Sequence, residues 1–183
     1  MIVILLKNFL EKQLVLNMVF LLLNLKKYMK EVLPLTSNRR KSITGAFVNL
    51  LMKQGKKEKA LNFFLNALFF MKKKQKKNER EEPFFLINKA LNRVKPLVGL
   101  KIIRRRNRKV LVPYMLSESN RERYAIRWLI ESAKQRNKKG KSISESLCDE
   151  ILDSSKGQGM SIKKKEDLHT KALENKFSLR FWS

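Results

Sequence analysis

The sequence predicts a mainly α-helical protein: a six-helix bundle, a β-hairpin protruding between the third and fourth helices, and a helical extension at the N-terminus. Three observations predict it. From Ser42 onward, apolar residues recur in steps of three and four. Around 98–114 the step shortens to two, on either side of a run of cations. Hydrophobic residues make up 43% of the chain although its formal net charge is +26. A core can therefore be buried while the charge stays outside it.

The helices follow in order. Ile43, Phe47, Leu50 and Leu51 share one face, and Gly55 supplies the stop. A second helix runs from about Lys57 to Lys74, with Ala60, Leu61, Phe64, Ala67, Leu68 and Met71 on one side. Pro83 suits the first turn of a third helix, where Phe84, Ile87, Leu91 and Val94 step by three and four until Pro96. The hairpin occupies 97–116: Val98, Leu100 and Ile102 alternate, then Val110, Val112 and Tyr114. The fourth helix carries Tyr124, Ala125, Trp128, Leu129, Ser132 and Ala133. Ser142 and Glu145 form a capping box that opens the fifth, with Leu147, Ile151 and Leu152 inward. Gly157 and Gly159 break the chain before a sixth helix over 161–175.

Two domains are expected, an apolar extension over 1–38 and a basic helical domain over 39–183. The extension has five Lys and two Glu, a net +3, so the remaining +23 lies beyond it. Its longest uncharged run, Gln13–Leu25, is 13 residues and contains Asn17 and Asn24. A spanning helix needs roughly 20 apolar residues, so no transmembrane span is expected. A basic start and a small-residue cleavage site are missing, and no Arg precedes Arg39, so neither a secretory signal nor a mitochondrial presequence is expected. The extension reads as a helix that packs on a neighbour.

Chemistry is nearly excluded. There is one histidine, His169, and one cysteine, Cys148. Metal sites need three or four clustered ligands, and no such cluster appears. No phosphate-cradling or dinucleotide glycine motif is present. Glu166 and Asp167 beside His169 read as first-turn acids that favour the helix dipole. The expectation is a protein that is not an enzyme, with no catalytic residues, no metal, no cofactor and no small-molecule substrate.

The positive charge is the signal. It is costly in self-repulsion unless a polyanion neutralises it. It gathers in Arg39-Arg40-Lys41, Lys56-Lys57, Lys72–Lys77, Lys101, the hairpin tip, Arg121/Arg123/Arg127, Lys134–Lys141 and Lys163-Lys164-Lys165. The tip holds Arg104, Arg105, Arg106, Arg108 and Lys109, five cations in six residues. A solvated turn needs no such set, and arginine forks fit phosphates.

Several strings, in order, carry a resemblance. They are Leu33-Pro34, Phe47-Val48-Asn49 with Gly55-Lys56-Lys57, Ala90-Leu91-Asn92-Arg93-Val94-Lys95-Pro96, Val98 to Leu116 with Val112-Pro113, Ala125-Ile126-Arg127-Trp128-Leu129, and Lys163 to His169 with Asn175-Lys176. Over 33–182 the chain resembles the small-subunit ribosomal protein seven family of bacteria and organelles. The resemblance implies a structural protein that binds the 3′ major domain of small-subunit rRNA and nucleates head assembly. It implies a ribbon near the exit tRNA site and the mRNA path, and contact with neighbouring small-subunit proteins. Carried over by position, Arg39, Arg40 and Lys41 are the arm, Lys56 and Lys57 a loop contact, and Arg104 to Lys109 the ribbon tip. Lys163, Lys164 and Lys165 contact RNA from the last helix.

Departures accompany it. Where the family usually has paired glycines at the tip, this chain has Arg106-Asn107, which predicts a wider or re-aimed tip. The arm is less basic than the family's, and residues 1–32 are expected to have no counterpart in the family. The apolar extension and heavy use of Lys, Asn, Phe, Leu and Ile point to a mitochondrial ribosome, with a plastid or bacterial cytoplasm as alternatives. Two rival readings stay open on composition alone: a DNA-compacting basic protein, and a membrane-surface protein anchored by residues 1–30.

Overall fold

A computed structural model describes residues 43–75, 81–105, 108–137 and 140–181. The N-terminal helical extension, the Arg39–Lys41 arm, Lys76, Lys77, Arg106, Asn107, Lys138, Lys139 and Trp182 lie outside the described residues. The chain divides into two units, residues 1–45 and 46–183, and the second contains the ribbon and all of the bundle but the first three residues of its first helix.

Six helices are described, in the predicted order: α1 (Ile43–Leu51), α2 (Lys57–Lys74), α3 (Pro83–Val94), α4 (Glu118–Asn137), α5 (Ile143–Lys156) and α6 (Met160–Glu174). Strands β1 (Val98–Arg105) and β2 (Arg108–Met115) lie between α3 and α4, and a 3-10 helix, Lys176–Phe181, follows α6.

The core forms where the helical stripes meet. Phe47, Val48 and Leu51 of α1 turn inward, and the Phe47 ring lies 5.3 Å from Phe64 of α2. On α2 the buried set is Ala60, Phe64, Leu65, Ala67, Leu68 and Met71; Leu65 takes the inward place predicted for Leu61. Lys72, Lys73 and Lys74 sit in its last turn, where cations suit the helix dipole. Pro83 stands at the start of α3, whose Leu86, Ile87, Ala90, Leu91 and Val94 are buried while Phe84 is half-buried.

Helix α5 is the hub and packs on α2, α3 and α4. A helix surrounded by others must bury residues all round, and α5 does so with small ones. Ser144, Ser146, Ser154 and Ser155 are buried beside Leu147, Cys148 and Ile151. The Ser155 hydroxyl satisfies itself on the Leu152 carbonyl at 2.7 Å. The predicted cap is present: Ser142 Oγ accepts the Glu145 N–H at 3.1 Å.

The ribbon pairs antiparallel from Val98↔Met115 to Arg105↔Arg108. In this register Val98, Leu100 and Ile102 share a face with Met115, Pro113 and Leu111, while Val110, Val112 and Tyr114 lie on the other. The two alternating runs therefore belong to opposite faces. One face is sealed at its root by Val112, which is fully buried; the other leaves Ile102 63% and Met115 72% exposed. Strand β1 packs on α6, and β2 on the 3-10 helix.

Candidate nucleic-acid interface

The ribbon positions its cations by alternation and pairing. Arg104 stands opposite Lys109, and Arg105 opposite Arg108, the last two rungs before the two-residue connection. Pairing is described as far as Arg105↔Arg108, and the expected wider or re-aimed tip at Arg106-Asn107 lies outside the described residues. Arg104, Arg108 and Lys109 are exposed, and so is Lys101 further down β1, opposite Val112. Like charges directly across a sheet destabilise it. Two such rungs in succession make sense beside a polyanion.

The second group lies on α4 and α6. Arg123 and Arg127 are exposed and one turn apart on α4. Glu131 is a further turn along, and Lys164 of α6 reaches it at 2.9 Å. That ion pair sets the α6 lysines beside the α4 arginine stripe. Of these lysines, Lys163 is exposed, whereas Lys165 Nζ donates to the Arg93 carbonyl at 2.6 Å. Arg121 is half-buried; its Nε donates to the Leu116 carbonyl at 3.0 Å and its guanidinium faces Glu118 at 3.5 Å.

The third group, Lys56 and Lys57, is exposed at the start of α2, after the Gln54-Gly55 turn, where both residues have positive φ. Lys56 occupies the cap position and its side chain closes no cap. The structure joins these two lysines to neither of the other groups by any bond among the described residues.

Other cations belong to the protein's own wiring. Lys74 and Lys141 both pair with Asp149 of α5, which draws charge from two of the predicted basic clusters into the bundle. Burial pushes the Asp149 carboxyl up, but hydrogen bonds from Lys74 and Lys141 outweigh it and hold it below the usual range. Lys95 pairs with Glu118 at 2.8 Å and Glu122 at 3.0 Å. Burial lowers its ammonium, yet the two carboxylates win and raise it. Cys148 is buried, and that burial pushes its thiol up to about 12, so it carries no nucleophile.

Sequence reasoning missed His169. It accepts the Leu97 N–H through Nε2 at 3.3 Å and so touches the entry to the ribbon. The partners are 72 residues apart, and no spacing rule joins them. Burial first, and the nearby Lys165 charge second, hold its imidazole below the usual range. Among the described residues no group of His, Cys, Asp and Glu could hold a metal ion, and no helix is long and apolar enough to cross a membrane.

Exposed cations on a ribbon, a helix stripe and a loop, around a helical core, mark a basic helical-bundle protein. The family model described as "Ribosomal protein S7p/S5e" matches residues 24–176. The chain is 38% identical to small ribosomal subunit protein uS7 of Koribacter versatilis over 74% of this chain and 83% of that protein. It is 35% identical to the uS7 protein of Malacoplasma penetrans, over 80% of this chain and 90% of that protein. With uS7 of Paracoccus denitrificans the identity is 38% over 84% of this chain and 94% of that protein. This chain belongs to the ribosomal protein S7p/S5e family, whose members are structural and not enzymes. The family match begins at residue 24, so residues 24–32, expected to have no counterpart in the family, do have one.

Proposed function

We propose that this chain is a structural constituent of the small ribosomal subunit that binds the 3′ major domain of its rRNA and nucleates assembly of the head. Family membership and the net charge of +26 support this reading. The observation that carries it is the pair of like-charge rungs, Arg104↔Lys109 and Arg105↔Arg108, at the end of the ribbon. The phosphate-facing set comprises Arg39, Arg40, Lys41, Lys56, Lys57, Lys101, Arg123, Arg127 and Lys163. Lys164, Lys165 and Arg121 stand at its inner margin and make their first bonds to protein. The tip residues Arg104, Arg105, Arg106, Arg108 and Lys109 lie near the exit tRNA and the mRNA path. Neighbouring small-subunit proteins are the other partners.

The ribosome is that of a mitochondrion in this reading. The apolar segment 1–38 and the Lys-, Asn-, Phe-, Leu- and Ile-rich composition support that placement. Co-sedimentation with small subunits from purified mitochondria is the expected result; recovery only with plastid or bacterial subunits would refute the placement.

Titrating the full chain against a small-subunit head-domain transcript at rising salt tests the binding. Affinity should fall by about 0.7–0.9 log units per log unit of salt for each phosphate contact. Equal affinity for duplex DNA would replace this reading with a general nucleic-acid compactor. Flotation with anionic liposomes, lost when residues 1–32 are removed, would replace it with a membrane-surface role.

A further inference from the structure

The two points at which the ribbon leaves the bundle are each tied to a helix. At the entry, Lys165 Nζ donates to the Arg93 carbonyl at 2.6 Å, and His169, one turn on along α6, accepts the Leu97 N–H at 3.3 Å. These two side chains hold the last turn of α3 and the residue before β1. At the exit, Arg121 of α4 donates to the Leu116 carbonyl at 3.0 Å. The Leu116 N–H bonds the Leu97 carbonyl at 3.2 Å, so entry and exit are joined to each other.

We propose that Lys165 and His169 are positioning residues that aim the ribbon, so that α6 sets the angle at which the tip cations meet RNA. The proposal rests on the reading of the ribbon as an RNA contact. Its physical basis is leverage. Each strand has eight residues, and a rise of roughly 3.3 Å per residue makes an arm of about 26 Å. A turn of about 10° at the root would swing the tip by about 4–5 Å, beyond the range of a phosphate hydrogen bond. A two-stranded ribbon is marginal in water by itself, so its direction is fixed by the body it meets at its base, where β1 packs on α6 and β2 on the 3-10 helix and these bonds tie its two ends. One α6 face supplies a donor to Arg93 in the last turn of α3 and an acceptor to Leu97 just before β1, while Lys163 on the same helix is left exposed for RNA.

The test measures the aim directly in the full chain. Spin labels are placed at Lys109→Cys on the ribbon and Lys156→Cys on α5; Cys148 is buried and takes no label. The parent should give one narrow distance. His169→Leu and Lys165→Met should broaden or shift it by several ångströms, with helical circular dichroism unchanged. His169→Gln, which keeps an acceptor, and Lys165→Arg, which keeps a donor, should restore it. Folded His169→Leu and Lys165→Met chains with the parental distance would overturn the proposal. If only one of these variants folds, its distance decides. Unfolding of both would also overturn it, because the pair would then hold the bundle rather than aim the ribbon. Transcript affinity is read in the same variants without labels. A shifted distance with undiminished affinity would sink the ribbon's RNA role and leave the clamp standing; lost affinity at the parental distance would make Lys165 a direct RNA contact and overturn the clamp.

Discussion

Glu150 of α5 caps the first turn of α6 through Ser161. Its Oε1 accepts the Ser161 N–H at 2.9 Å and the Ser161 hydroxyl at 2.6 Å, and the carboxylate is fully buried. Ser161 also meets Ser154 at 2.8 Å. Arg136 of α4 brings Nε to 2.9 Å from Oε2 without a well-directed hydrogen bond, and brings a second nitrogen to Asp153 at 2.7 Å. Three helices are thus joined by one carboxylate. Anions suit a helix N-terminus, and α6 has no side-chain cap of its own at Gly159.

Replacing Glu150 with Ala should therefore destabilise the bundle by about 2–3 kcal/mol, because buried donors on Ser161 lose their acceptor. Glu150→Gln keeps an acceptor and should cost less than half as much. Urea unfolding of the two variants measures the difference. Equal losses would mean that the charge, not the cap, matters.

The ribbon rungs set stability against binding. Lys109→Glu turns the Arg104↔Lys109 rung into an opposite-charge pair and should stabilise the free ribbon by roughly 0.2–1 kcal/mol. The same change should weaken transcript binding and lower its salt slope. Amide exchange along β1 and β2 reads the first effect, and filter binding at several salt concentrations the second. Slower exchange with undiminished RNA affinity would remove the tip from the interface.

His169 makes ribbon anchoring depend on pH. Its folded pKa lies below the ordinary value of 6.5, so the folded state favours the neutral ring that accepts the Leu97 N–H. Its stabilising contribution is present above about 6.5 and is lost as pH falls through that value toward the lower folded pKa. Protection of the Leu97 amide, taken relative to intrinsic exchange at each pH, should fall in the parent chain as pH drops below 6.5 through the lower folded pKa, and much less in His169→Gln. A pH-independent Leu97 amide would exclude the ring as its partner.

Much of this architecture was legible because it is local. Helix periodicity, Pro83, the Ser142 cap and the two alternating runs are all readable within a few residues, and they place six helices and a hairpin correctly. What failed to show was set by distant partners. Leu65 is buried while Leu61, one turn earlier on the same face of α2, is half-buried, because burial along a stripe follows how far the covering helices reach. The alternating runs of the hairpin fall on opposite faces because the register depends on the turn. Arg121 reads as an RNA-facing cation, and nothing local marks Glu150 or His169 for a partner, until the fold brings a helix terminus or a free backbone group to each. Of the predicted contacts, the exposed cations were legible as clusters, but Lys165 and Lys164 were not separable from Lys163 without their partners.

Trp128 illustrates the same limit in energy. Its place in the helical pattern predicts a core residue whose truncation would cost roughly 3–5 kcal/mol. In the structure it is half-buried, with its ring 5.8 Å from Tyr124 at 52°. Trp128→Ala should cost about 2 kcal/mol, since part of the ring already meets solvent. Thermal unfolding of the variant decides between the two values.

Two glycines separate backbone strain from steric conflict. Gly55 has φ +73, and a Cβ there would meet nothing within 4 Å. Gly55→Ala should cost about 1–2 kcal/mol, the penalty of a left-handed conformation alone. Gly159 has φ +118, and a Cβ there would stand 3.0 Å from Glu150 Oε1. That oxygen is the one holding Ser161, so Gly159→Ala adds displacement of the α6 cap to the strain. Its destabilisation should exceed that of Gly55→Ala by at least about 1 kcal/mol, the worth of one buried hydrogen bond. In a Glu150→Ala background the cap is already gone, and the two glycine substitutions should then differ much less. A difference that persists there would place its origin in the Gly159 backbone and not in Glu150.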